Sequence, residues 1–210
     1  MSYRVAALVL AAGLSTRMGR LKQLFPLGNK SVIRHGVDAL IAAGISDIVV
    51  VCGADRRNYD EALEGSRVQL VVNEALGSEM ADSVRLGLQT LAAGSSFSGL
   101  LVCLADHPLV QVTTYRSLIR RHHEAPDKII IPAFKSRRGH PTLFPAQIIS
   151  DIFFVTSLRD IVREDPGRVL LVDLPDEGVV LDMDTESDYR AARELYDARE
   201  SLQLSGDGHV

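Results

Sequence analysis

The residues of this chain that could do chemistry fall into a cationic glycine loop, a set of separated aspartates and two short polar segments. The loop reads Gly13-Leu14-Ser15-Thr16-Arg17-Met18-Gly19-Arg20-Leu21-Lys22. Small residues let a backbone approach a ligand and cations face an anion, so the loop proposes a phosphate site; a solvated turn with incidental cations is the alternative. Two better-defined phosphate motifs are excluded. The dinucleotide fingerprint G-x-G-x-x-G fails because five residues separate Gly13 from Gly19. A P-loop fails at Gly28-Asn29-Lys30-Ser31, where Asn29 takes the second glycine position and no upstream glycine has the spacing.

Asp106 lies in Leu104-Ala105-Asp106-His107-Pro108, directly after an apolar run. A carboxylate there can hold a hard cation at a ligand-facing edge or cap the helix that follows. In Leu181-Asp182-Met183-Asp184-Thr185 the alternation points Asp182 and Asp184 to one side of an extended strand. Two like charges held together want a cation or open water; capping of the last helix by Asp184 or Thr185 competes with a ligand role. Ser83, Arg85 and Gly87 open a helix, whose N-terminus suits an anion or a base edge. In Arg137-Arg138-Gly139-His140-Pro141 an arginine fork suits a phosphate, whereas surface exposure alone accounts for a loop histidine beside proline.

These groups need a scaffold, and the apolar pattern supplies one. Val5 to Ala12 is an unbroken apolar run, as expected of a strand buried on both faces of a parallel sheet. Ser31 can cap a helix to Ala43, stopped by Gly44. Strands follow at Asp47–Gly53, Val68–Val72, Leu100–Leu104 and Lys128–Ile131, separated by helices over Arg56–Leu63, Asp82–Leu91 and Thr114–His123. The alternation predicts an α/β chain: a mostly parallel twisted sheet with helices on both faces, a three-layer Rossmann-like arrangement. Its ligand belongs at the carboxyl ends of the strands, where Gly13, Gly53, Asn73 and Asp106 fall. Beyond Ala133 the pattern loosens. A polar turn precedes a short strand at Thr142–Phe144, then short helices at Gln147–Ile152 and Leu158–Arg163, strands at Arg168–Leu174 and Val179–Met183, and a helix from Glu186 to Leu202. With no repeat or linker, residues 1–204 read as a single domain and 205–210 as a flexible tail.

The formal charge of −4 argues against nucleic acid as a partner, and the absence of tryptophan argues against a single-strand stacking platform. No leader pattern and no bilayer-length apolar run is present, so the chain reads as cytoplasmic with no membrane partner. Cys52 and Cys103 sit in apolar strand-like runs and read as buried thiols, with a disulfide left open. His122, His123 and His209 carry no chemistry in this reading.

The loop is also a resemblance. Leu10-Ala11-Ala12-Gly13-x-Ser15-x-Arg17-Met18-Gly19-x-x-Lys22 matches every fixed position of the L-A-A-G-x-S-x-R-M-G-x-x-K signature of the MobA-like nucleotidyltransferases. Within them the chain most resembles the molybdenum cofactor cytidylyltransferases, over about residues 5 to 190. The resemblance implies a nucleotidyltransferase fold and transfer of CMP from CTP to the phosphate of molybdopterin, with release of pyrophosphate. It implies catalytic roles for Arg17, Lys22 and Asp106, with the two cations spreading charge on the leaving pyrophosphate. Mg²⁺ as cofactor would be held by Asp106 with Asp184, or else Asp182. Nucleotide would contact Leu10, Ala11, Ala12, Gly13, Ser15, Arg17, Lys22, Ser83, Arg85 and Gly87. Glu79 departs from the family's G-M-x-x-S-[LV]-R-x-G-L segment, whose first glycine it replaces; a shifted loop could use Gly77 and Ser78. The acceptor would meet Arg138, Gly139, His140 and Pro141, His140 orienting its phosphate rather than acting as a base. Ala12 stands where the guanylyl branch has glycine, and the added methyl suits a pyrimidine. A recipient molybdoenzyme or its chaperone would take the product. Three rival readings are nucleotidyl transfer to another phosphorylated metabolite such as methylerythritol phosphate, an NAD(P)-dependent oxidoreductase, and a non-catalytic cofactor-binding accessory protein.

Overall fold

The first run of apolar residues forms strand β1 (Val5–Ala11), and all but one of its residues are buried. The structure is a computed structural model and describes residues 4–13, 21–74, 80–94, 96–155 and 157–206, with side chains to residue 202 in the last helix. After β1 come a small hairpin, β2 (Pro26–Leu27) and β3 (Lys30–Ser31), then α1 (Val32–Ala42), β4 (Ile48–Cys52), α2 (Arg56–Ala62), β5 (Gln69–Val72) and α3 (Met80–Ala92). The chain continues through β6 (Gly99–Leu104), α4 (Val112–Glu124), β7 (Ile129–Phe134), β8 (Arg137–Arg138), β9 (Thr142–Pro145), α5 (Leu158–Glu164), β10 (Val169–Asp173) and α6 (Glu186–Gly206).

The main sheet has the order β10-β7-β9-β6-β1-β4-β5, with β8 paired to β7. Its β1–β4, β1–β6, β4–β5 and β7–β10 pairs are parallel, while β9 lies antiparallel between β6 and β7. The expected mostly parallel α/β sheet is thus observed, with β9 and the short β8 antiparallel to the rest. Side-chain alternation along β1 builds two cores. Val5, Ala7 and Val9 pack with Ile33, Tyr59 and Leu118 of α1, α2 and α4, whereas Ala6 and Leu8 pack with Val84, Leu88 and Ile161 of α3 and α5. These are the three layers.

The connection order makes a switch point. From β1 the chain moves outward through β4 and β5, then returns to β6 on the other side of β1. Leu10 faces Leu104 across the pair, and Ala105 N–H donates to the Leu10 carbonyl at 3.0 Å. Gly13 and Asp106 therefore leave adjacent strand ends at the crevice where ligands bind in open α/β sheets.

Several boundaries differ from expectation. Ser31 precedes α1, but its hydroxyl makes no cap and is buried without a partner. Gly44 stops that helix as expected, in a left-handed conformation with φ +95°. Residues 179–183 are not a strand. Glu177–Val180 forms a 3₁₀ turn because the Asp176 carboxylate accepts from Gly178 N–H and breaks the extended path. Helix α6 runs on through Gly206 and takes in the first two residues of the expected tail; 207–210 lie outside the described residues. Both cysteines are buried free thiols. Among the described residues no helix is long and apolar enough to cross a membrane.

Candidate active site

The end of β1 is fixed from below before the loop begins. The Ala11 carbonyl accepts from the Tyr59 hydroxyl at 2.9 Å and from Gln23 Nε2 at 3.2 Å, and Gln23 also reaches the Gly13 carbonyl at 3.4 Å. Tyr59 and Gln23 are both buried, and burial pushes the Tyr59 hydroxyl well above its usual range, so it stays a neutral donor. Sequence reasoning passed over both residues. Tyr59 had a signal, as the one aromatic residue in the polar helix Arg56–Ala62. Ser15 and Arg17 of the loop lie outside the described residues, as do Gly77, Ser78 and Glu79.

Three chain segments distant in sequence meet at the strand ends. Lys22 opens a 3₁₀ turn over Lys22–Leu24, Asp106 follows β6, and Asp184 precedes α6. Lys22 Nζ donates to Asp106 Oδ2 at 2.7 Å and to Asp184 Oδ1 at 2.6 Å. Burial alone would lower the Lys22 pKa, but hydrogen bonds and charge from the two aspartates outweigh it and hold it above its ordinary value. Asp184 is available for this contact because Thr185 serves the helix end instead. Thr185 Oγ1 accepts from Asp188 N–H at 3.2 Å, and the Asp188 carboxylate accepts from Thr185 N–H at 2.8 Å. Asp182 is exposed and does not join the cluster. Its charge instead acts on His107, helping to raise that ring's pKa against the larger lowering by burial.

The pair Asp106 and Asp184 suits a hard cation. Asp106 Oδ1 is buried with no hydrogen-bond partner, and His107 Nε2 lies 4.0 Å from it. Among the described residues no group of three or more His, Cys, Asp or Glu gathers around one point. Two carboxylates and no closed cage is the donor set of a cation that shares its remaining positions with phosphate and water.

Eight residues before Asp184 stands a buried carboxylate, Asp176. Asp176 accepts from Gln111 N–H at 2.8 Å, Thr114 Oγ1 at 2.7 Å, Gly178 N–H at 3.1 Å and the Arg199 guanidinium at 3.0 Å. It thereby ties the 176–184 segment to the start of α4 and to α6. A Cβ on Gly178 would lie 2.1 Å from the Leu109 carbonyl, so this backbone approach requires glycine. Helix α6 also packs on the end of the Lys22–Leu24 turn and on α1, through Tyr189 edge-on against Phe25 at 5.4 Å and Tyr196 against His35 at 5.2 Å.

The second polar segment sits beside Asp106. Lys135 and Ser136 have φ of 49° and 66°, a two-residue hairpin turn that returns the chain as β8. Arg138 is exposed at its end. Gly139 N–H donates to the Pro132 carbonyl and His140 N–H to the Val179 carbonyl, both at 2.8 Å. A Cβ on Gly139 would meet that same Val179 oxygen at 2.2 Å. The His140–Pro141 peptide is cis. The His140 ring lies 5.1 Å from the His107 ring, and the Nδ1 atoms of both are buried without partners. Burial first, and then the His107 charge, lowers the His140 pKa to about 4, against the opposing pull of Asp106. His140 is thus neutral near pH 7, able to donate and accept hydrogen bonds but not to carry a charge. His107 is a site residue that sequence reasoning missed, although it stands between Asp106 and Pro108.

The helix expected to contact nucleotide is α3. Ser83 Oγ accepts from Asn73 Nδ2 at 2.9 Å, joining α3 to the carboxyl end of β5. Arg85 and Gly87 have these surroundings. Arg85 donates to Asp82 at 2.6 Å and to the Val155 carbonyl at 2.5 Å, on the α5 side. Gly87 packs on the sheet: a Cβ there would lie 2.1 Å from Leu8 Cδ1 and 3.1 Å from Val51 Cγ2. Leu10 and Ala12 are half-buried, Ala11 is buried and Gly13 is exposed, so small residues do line the strand end.

Comparison with known proteins agrees with this geometry. The family model described as MobA-like NTP transferase domain matches residues 7–173. Nicotine blue oxidoreductase of Paenarthrobacter nicotinovorans is 30% identical over 199 residues, covering 89% of this chain and 95% of that protein. A nucleotidyl transferase from Methanothermobacter thermautotroptrophicus, Mth528, superposes with a TM-score of 0.79 at 23% identity, over 93% of this chain and 99% of its own. Rv0371c from Mycobacterium tuberculosis H37Rv, solved in complex with manganese, gives a TM-score of 0.73 at 24% identity, over 91% and 98%. The two structures share the fold.

Proposed function

The chain belongs to the MobA-like NTP transferase family and is an enzyme of the nucleotidyltransferase class, and from that premise we propose that it moves CMP from CTP to the phosphate of molybdopterin with release of pyrophosphate. The observation that carries the reading is the meeting of Lys22, Asp106 and Asp184 beside the end of β1. A phosphate oxygen of the acceptor attacks the α-phosphorus in line, and the bond to the pyrophosphate oxygen breaks. Such a step asks the protein for positioning and charge neutralisation more than for acid–base chemistry. The half-buried Ala12 methyl narrows the base pocket toward a pyrimidine, and Lys22, together with Arg17 as the family resemblance implies, neutralises the triphosphate. His140, neutral and half-buried beside His107, orients the acceptor phosphate by hydrogen bonding. When bound on Asp106 and Asp184, Mg²⁺ supplies a Lewis acid against the phosphate charge. The reaction belongs to one domain over residues 1–204, working in the cytoplasm, where the two buried thiols stay reduced.

Pyrophosphate release is measured with each NTP, with and without molybdopterin, in Mg²⁺. Release with CTP that requires molybdopterin is expected, and release with GTP alone refutes the base assignment. Asp106→Ala is expected to abolish turnover with the fold intact. A second reading has one observation behind it: nicotine blue oxidoreductase covers nearly the whole chain. NADH oxidation without pyrophosphate release from any NTP would replace the transferase reading with that one.

A further inference from the structure

The Lys22 ammonium stands where a cation shared by Asp106 and Asp184 would stand. Its Nζ is within 2.7 Å of one carboxylate and 2.6 Å of the other, and its side chain is only 12% exposed. A divalent cation cannot use the same oxygens while the ammonium stays, because the two positive charges would lie within contact distance in a half-buried site. The ammonium can leave without moving the backbone. Lysine carries its charge on a flexible four-carbon stem with rotatable donors, whereas the Lys22 main chain is held by the 3₁₀ turn, in which Phe25 N–H donates to the Lys22 carbonyl at 3.1 Å. Asp106 Oδ1 meanwhile stays buried and unpaired by hydrogen bonds, and gives an arriving cation its foothold.

We infer that Lys22 is a resident stand-in for the cation, neutralising Asp106 and Asp184 until a nucleoside triphosphate arrives, and then passing to the phosphates as the divalent ion takes its place. The inference rests on the reading of Asp106 and Asp184 as cation ligands for a triphosphate substrate. It gives binding an order. Without nucleotide the divalent ion must break the ion pairs that Lys22 makes with Asp106 and Asp184. With nucleotide the phosphates receive the ammonium, and the two events favour one another by the same factor in either direction.

Mn²⁺ titration of the full chain, followed by the loss of the free-ion paramagnetic resonance signal, tests this without any turnover. In the absence of nucleotide, Lys22→Gln and Lys22→Met are expected to bind Mn²⁺ at least about tenfold more tightly than wild type, the size of one modest coupling free energy. A non-hydrolysable CTP analogue is expected to tighten Mn²⁺ binding to wild type far more than to either variant. Lys30→Gln, which removes the ammonium paired with Asp38 at 2.7 Å, is expected to leave Mn²⁺ affinity unchanged. Equal nucleotide-free affinities for wild type and both Lys22 variants would overturn the inference, as would an equal gain in Lys30→Gln. If a Lys22 variant is unfolded without metal, recovery of its circular dichroism on adding Mn²⁺ supports the stand-in, and failure to recover overturns it. Failure of the transferase reading registers separately, as absence of pyrophosphate release from wild type with every NTP.

Discussion

Asp176→Ala tests how the site is held rather than what it does. The Asp176 carboxylate is buried and serves Gln111, Thr114, Gly178 and Arg199 together. Truncation leaves the buried Thr114 hydroxyl without its acceptor, and removes the partner of a guanidinium that is itself three-quarters buried. Breaking a buried pair by deleting one member costs about 3–5 kcal/mol, and the hydrogen bonds overlap that figure rather than adding to it, since Arg199 still donates to the Leu109 carbonyl at 2.6 Å. Against a total stability of about 5–15 kcal/mol this is a large fraction, and for a chain of this length it lowers the melting temperature by roughly 10 °C. Urea unfolding should show the lower midpoint with an unchanged slope. Because the same carboxylate anchors the segment leading to Asp184, Mn²⁺ affinity measured well below the melting temperature should also fall. A loss of less than about 1 kcal/mol would refute the argument that Asp176 is the hub of this segment.

Gly87→Ala forces a methyl into Leu8 and Val51, and should cost about 1–3 kcal/mol in thermal unfolding while specific activity per folded molecule is kept. Gly139→Ala meets a carbonyl rather than a movable side chain, so it should disturb the 137–141 segment and raise KM for the acceptor more than for the nucleotide, as steady-state kinetics will show. The folded-state pKa of His140, about 4, lies below its ordinary 6.5, so the unfolded chain takes the proton first as pH falls. Stability is therefore full above pH 6.5 and declines toward pH 4, by on the order of 3 kcal/mol. Denaturant titrations of His140→Asn across that window should lack this slope.

Much of this was legible because burial on both faces writes itself as an unbroken apolar run. Val5–Ala12 and Leu100–Leu104 could be read as strands of one mostly parallel sheet with a ligand edge, and Asp106 fell at that edge from its position after a strand. Asp184 was separable from Asp182 only by the Thr185–Asp188 cap, a matter of side-chain geometry. The contact of Lys22 with both aspartates spans 84 and 162 residues and depends on a hairpin of two-residue strands, too short to leave a periodic signal. Residues 179–183 read as a strand because Val179, Val180 and Leu181 are apolar, yet Asp176 and the tight approach of Gly178 to Leu109 bend them into a turn. Arg85 and Gly87 matched a motif by spacing, but spacing does not state what each side chain meets: Arg85 reaches the Val155 carbonyl and Gly87 packs against Leu8 and Val51. The antiparallel placement of β9 was beyond reach, since a short apolar segment does not state its direction.

The Val179 carbonyl accepts from His140 and crowds Gly139, while the same strand of backbone continues five residues to Asp184. Residues 137–141 and 176–184 are therefore one exchangeable cassette. A chimera that replaces residues 137–141 alone would seat a foreign loop against an unmatched Val179 carbonyl and disturb the backbone that leads to Asp184. Changing acceptor preference in this scaffold means transplanting both pieces together.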